Sequence, residues 1–146
     1  MLASSSGAYD ALIALHVLCA VAGFGAVAIS GVYGGLARNP SNAAETSRYF
    51  SSRSVGEWLI LPVPFLGLAA LLVDHHAEEL SDAWVLGGSA LWVAAAALLF
   101  LVVRPAEKRL RRNEETAASG RVLMVASIAS DVLFVAALAL MVTQPG

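Results

Sequence analysis

Four stretches of the chain run almost unbroken through apolar residues, at about 11–35, 55–73, 83–103 and 122–142, with short polar segments between them. Each has close to the roughly 20 residues that a helix needs to cross the hydrocarbon core of a bilayer. The runs are rich in Ala and Leu and lack the alternation of an outer-membrane strand, so the pattern predicts helices. Pro40, Ser41 and Asn42 break the chain after the first span, and Ala43 to Ser54 then reads as a short helix along the membrane surface. Arg104-Pro105 marks the end of the third span, with helical character again over 106–115. There Glu107 and Arg111 form an i,i+4 pair worth a few tenths of a kcal/mol. Short connections make neighbouring helices the natural packing partners. The expectation is an all-α, up-down-up-down transmembrane four-helix bundle forming one domain over 1–146.

Composition agrees with lipid as the solvent. Hydrophobic residues make up 58% of the 146, charged residues only 14%, and the mean hydropathy is +0.73. Soluble chains carry about 25% charged residues. The net charge of −2 says less than its distribution. Arg38, Arg48 and Arg53 follow the first span, and Arg104, Lys108, Arg109, Arg111, Arg112 and Arg121 follow the third. Those nine are all the basic residues in the chain. Basic loops resist translocation, so both should be cytoplasmic, with residues 74–82 and both termini outside. The segment before the first span has no Lys or Arg, so a cleaved signal peptide is not expected. Cys19 is the single cysteine, which excludes an intrachain disulfide. Tyr9, Tyr49, Trp58 and Trp84 fall near the interfaces, as aromatic anchors do.

Small residues recur along the first span at Ala22, Ala26, Ser30 and Gly34, and Cys19, Gly23 and Gly31 widen that face. In lipid, helices associate through such close approaches, either inside the bundle or along a homodimer seam. Asp131 lies mid-span in the fourth segment, about 16 Å below its outer end at 1.5 Å per residue. Intramembrane acids mark functional sites by default. It is expected to be buried and to donate to a backbone carbonyl that Pro62 or Pro64 frees near Trp58 and Ile60. A proton-coupled carrier built on Asp131 is one functional reading. Glu57 should pair with Arg53 at the interface. His16 lies about 9 Å below the outer end of the first span. It is either hydrogen-bonded to a neighbouring helix or an axial ligand to haem. His75, His76 and Glu79 in the external loop have the donor chemistry for a borderline divalent metal. Arg104, Lys108, Arg109, Arg111 and Arg112 can attract anionic lipid headgroups, at about 1 kcal/mol each. No phosphate loop, zinc-protease helix or serine-hydrolase elbow is present, and no nucleophile stands beside a base. No nucleic-acid partner is expected.

Leu15-His16-Val17 followed by small residues, Arg104-Pro105 after the third span and the closing Met141-Val142-Thr143-Gln144-Pro145 resemble an uncharacterised bacterial family of predicted integral membrane proteins. The Leu-His element is also similar to the first helix of CopD-type copper-resistance and HemJ-type haem-biosynthesis membrane domains. That resemblance implies haem b or copper handling at His16. The chain departs from those domains in having no second histidine inside a span and its sole lysine, Lys108, in a loop. The leading expectation is a non-enzymatic accessory or assembly protein of the bacterial cytoplasmic membrane, alone, as a homodimer or in a larger complex. A haem- or copper-associated redox protein is the alternative.

Overall fold

The computed structural model describes residues 3–52, 55–73, 82–114 and 116–143, with side chains from residue 7 onward. Every regular element among them is helical. Helix α1 runs from Ala3 to Leu36. A 3₁₀ turn over Pro40–Asn42, capped by the Asn39 side chain, leads into the short helix α2, Ala43–Ser51. A second 3₁₀ turn, Gly56–Ile60, precedes α3, Val63–Val73. Helix α4 spans Ala83–Leu98, passes through a wide π turn at Leu99–Val103 and continues as α5, Arg104–Arg111. Helix α6 covers Thr116–Thr143. Four segments are long and apolar enough to cross a membrane: Gly7–Leu36, Gly56–Val73, Ala83–Arg111 and Thr116–Thr143.

The helix of the third span does not stop at Arg104-Pro105. Pro105 lacks an N–H, and its ring would strike the carbonyl four residues back. The turn just before it opens instead, with the Arg104 N–H bonding to the Leu99 carbonyl five residues away. The helix therefore continues to Arg111, 29 residues from Ala83 or about 43 Å, well beyond a hydrocarbon core of about 30 Å. Its true stop is at Asn113, whose φ of 54° is left-handed. Asn113 N–H bonds the Leu110 carbonyl and Glu114 N–H bonds the Arg109 carbonyl, the paired closure of a Schellman cap.

Chain neighbours pack as expected in two of three cases: α3 packs on α1, and α4 packs on α6, while α1 and α6 lie side by side. The departure is between α3 and α4, which share few close backbone approaches among the described residues. The small-residue face of α1 makes these contacts within the bundle. Gly34 faces the Gly120 carbonyl and Leu123 of α6, and Gly31 meets Ser127. Gly23 lies against the Leu59-Ile60 backbone, where an added Cβ would come within 2.8 Å of the Ile60 nitrogen. Ala22, at the outer end of the stripe, is exposed. Around these crossings Phe24, Val27, Ile60, Leu99, Val103 and Leu123 form the centre of the core.

Candidate functional site

Three groups of polar residues lie within or at one end of the apolar helices, and each is set by the element that carries it. The first is at the end of the bundle that carries α2. The 3₁₀ turn holds Glu57 at 0% exposure. Its Oε1 accepts from the Ser30 hydroxyl at 3.0 Å, and Ser30 is 3.0 Å from the Tyr49 hydroxyl. Because Ser30 donates to Glu57, Tyr49 donates to Ser30. The second oxygen, Oε2, has no hydrogen bond and faces Arg104 Nη2 at 3.8 Å. Arg104 lies over the Trp58 ring at 4.1 Å, a cation–π contact that holds its guanidinium inward. The buried Glu107 carboxyl lies against Glu57 and Ser30. Burial pushes the Tyr49 phenol above its ordinary pKa more than its bond to Ser30 draws it down, which keeps it a donor. The two carboxyls thus lie together, and it is Glu57 that faces the guanidinium.

These contacts add to the sequence reading at Glu57, Arg104 and Glu107, the last of which also keeps its charge interaction with Arg111. Glu57 pairs with Arg104 and Ser30 deep in the protein, while Arg53 lies outside the described residues. Arg104 turns inward, and the exposed basic positions of its helix are Lys108, Arg109 and Arg111, with Arg112 at the cap. Glu107 turns from the surface toward Glu57. The spacing Val103, Ala106, Glu107, Leu110 carried the signal for that turn, since it puts Glu107 on the apolar face of the helix.

The second group surrounds His16. Its Nδ1 lies 2.7 Å from the Val63 carbonyl. A carbonyl only accepts, so Nδ1 carries the hydrogen and the neutral ring presents a lone pair at Nε2. Nε2 has no hydrogen-bond partner among the described residues. Gly67 makes room for the ring, since a Cβ there would lie 3.0 Å from its Cε1. The halves of α3 and α4 far from α2 stand apart over α1 and leave a cleft of about 390 Å³, walled by Tyr9, Phe65, Trp84, Gly88 and Trp92, with His16 in its lining. The halves nearer α2 are tied by long side chains. Trp92 Nε1 donates to the Ile60 carbonyl at 2.8 Å, Trp58 packs edge-on against Phe100, and Arg104 reaches Glu57.

The third feature is Asp131, about 18 Å from the outer end of α6. It was expected to be buried and to serve a carbonyl freed by proline. The structure places it partly exposed, with no hydrogen bond or ion pair among the described residues. The carbonyl that Pro64 leaves without an N–H, that of Ile60, takes its hydrogen from Trp92 instead. The Trp58 carbonyl, freed by Pro62, accepts from Leu61 N–H. Asp131 is on the row of Ile128 and Val135, which are 57% and 62% exposed. The buried hydroxyls of α6 are those of Ser119, Ser127 and Ser130, and Ser127 Oγ has no partner among the described residues.

His75, His76 and Glu79 lie outside the described residues. Among those described, no group of three metal-ligating side chains comes together. Neither protein-family models, curated proteins nor solved structures give a match to this chain.

Proposed function

We propose that this chain is an assembly subunit of a bacterial cytoplasmic membrane, using the Asp131 face of α6 to hold a transmembrane helix of another protein. One observation carries this reading: a mid-span carboxyl on an otherwise apolar, exposed row, without a partner among the described residues. On insertion scales an acid at the bilayer centre costs about 2.5–3.5 kcal/mol, so a partner that relieves that cost binds by it. Every Lys and Arg of this chain lies in or beside the segments assigned to the cytoplasmic side. A second copy therefore brings only another acid to this depth, whereas a foreign helix with Lys, Arg or a neutral donor complements it.

A photoreactive residue placed at Val135 in living cells tests the assignment. The expected result is an adduct to a different membrane protein that survives Asp131→Glu and is lost in Asp131→Leu. An adduct to a second copy of the chain would replace the foreign helix by a homodimer. An adduct indifferent to Asp131→Leu, or none at all, would remove the assembly reading.

A further inference from the structure

We infer that the cleft between α3 and α4 binds a bilayer-soluble molecule with a hydroxylated ring at its head, the hydroxyl donating to Nε2 of His16. The argument starts from the tautomer. Val63 accepts from Nδ1 at 2.7 Å, so the neutral ring offers Nε2 as an acceptor and not as a donor. The cleft around it, about 390 Å³, is in the size range of small-molecule sites, and aromatic rings wall it on three helices. Tyr9, Trp84 and Trp92 suit a flat head, and the two tryptophans stand one above the other along α4.

The cleft opens sideways. Phe65 on its rim is 68% exposed, and α3 and α4 make few close backbone approaches among the described residues. A tail can therefore remain in lipid while the head enters. The dimensions of the site do not select the source of the head, because phenol-, quinol- and other ring-alcohol lipids share the donor. The acceptor at Nε2 does select the oxidation state, since a quinone of the same size has only acceptors. This site is independent of the Asp131 face of α6 and stands or falls separately.

The test uses the full chain in detergent, carrying Trp58→Phe so that Trp84 and Trp92 report alone. Their fluorescence is titrated with decylhydroquinone, kept reduced, with decylbenzoquinone, and with a decyl-substituted cyclohexanol. The hydroquinone should bind about tenfold tighter than the quinone, the worth of one hydrogen bond gained and one repulsive acceptor pair avoided. Cyclohexanol binding as tight as the hydroquinone would identify a general ring-alcohol site. Weaker binding would identify a phenolic one. His16→Gln should erase the preference. Gly88→Leu, at a position where an added Cβ meets open space, should abolish binding of every probe without unfolding the chain. Equal binding of hydroquinone and quinone, or a preference unchanged by His16→Gln, would overturn the inference. So would purified protein with a Soret band that shifts in His16→Gln, because iron would then occupy Nε2.

Discussion

Glu57 is fully buried, and its two oxygens are unequally served: one accepts from Ser30 while the other faces Arg104 beyond hydrogen-bond distance. Removing it leaves a buried hydroxyl and a guanidinium without their acceptor. Arg104 keeps some solvent, with 30% of its side chain exposed, so the loss falls short of that for a fully enclosed pair. Glu57→Ala should cost about 1–3 kcal/mol, seen as a lower melting temperature in detergent. Glu107→Gln removes one of two acids buried against each other and should leave the melting temperature unchanged or raise it. A larger loss from Glu107→Gln than from Glu57→Gln would show that Glu107 holds Arg104. At Asn113 the left-handed φ sets a second test. Asn113→Gly should be neutral or slightly stabilising, and Asn113→Val should cost on the order of 1 kcal/mol, because a β-branched residue is strained there. Equal melting temperatures for the two variants would mean that the cap relaxes.

Among the elements, the prolines of the second span show how a broken helix is repaired. Pro64 has no N–H for the Ile60 carbonyl, and Trp92 of α4 supplies the missing hydrogen. Trp92→Phe should therefore destabilise the protein by about 0.6–2 kcal/mol, the range for hydrogen bonds within membranes. Pro64→Ala restores the local donor and should shrink that loss, a coupling that a double-mutant cycle measures. Additive effects would sever the link between proline and tryptophan. The sequence made this need legible, since Pro62 and Pro64 mark the freed carbonyls, but it named Asp131 as the donor. The spans were equally legible from their length. Which spans touch was not, because lipid and protein interior are alike apolar and no amphipathic stripe points inward. Glycine contacts set the order, with Gly34 on Gly120 and Gly23 on Ile60, and the pairing of α3 with α4 was lost to them. His16 stood out as a polar residue in an apolar run. Its partner, a main-chain carbonyl of another helix, has no signature in sequence.

For the whole molecule, the charge map and the structure bear on one question, which face of the membrane each end meets. Arg38 precedes α2 and Arg48 lies in its last turn, while Arg104 opens α5 and Lys108, Arg109, Arg111 and Arg112 crowd its end. The Ser30, Tyr49, Glu57 and Arg104 contacts draw these two basic regions to the same end of the bundle. The His16 cleft lies toward the other end. An inside-positive bias then puts α2 and α5 in the cytoplasm and opens the cleft toward the outer leaflet. In a Cys19→Ser background, Asp82→Cys and Glu114→Cys supply single thiols at opposite ends, both away from the helix crossings. A membrane-impermeant maleimide added to intact cells should label position 82 and spare position 114, which reacts only after permeabilisation. The reverse pattern would turn the molecule over, placing the Glu57 cluster outside and the cleft toward the inner leaflet. Labelling at both positions would break the up-down-up-down order, because an odd number of crossings must separate them. The third span supplies that crossing, and its continuity through Pro105 to Arg111 makes the two-sided result follow from the structure as well as from the charges.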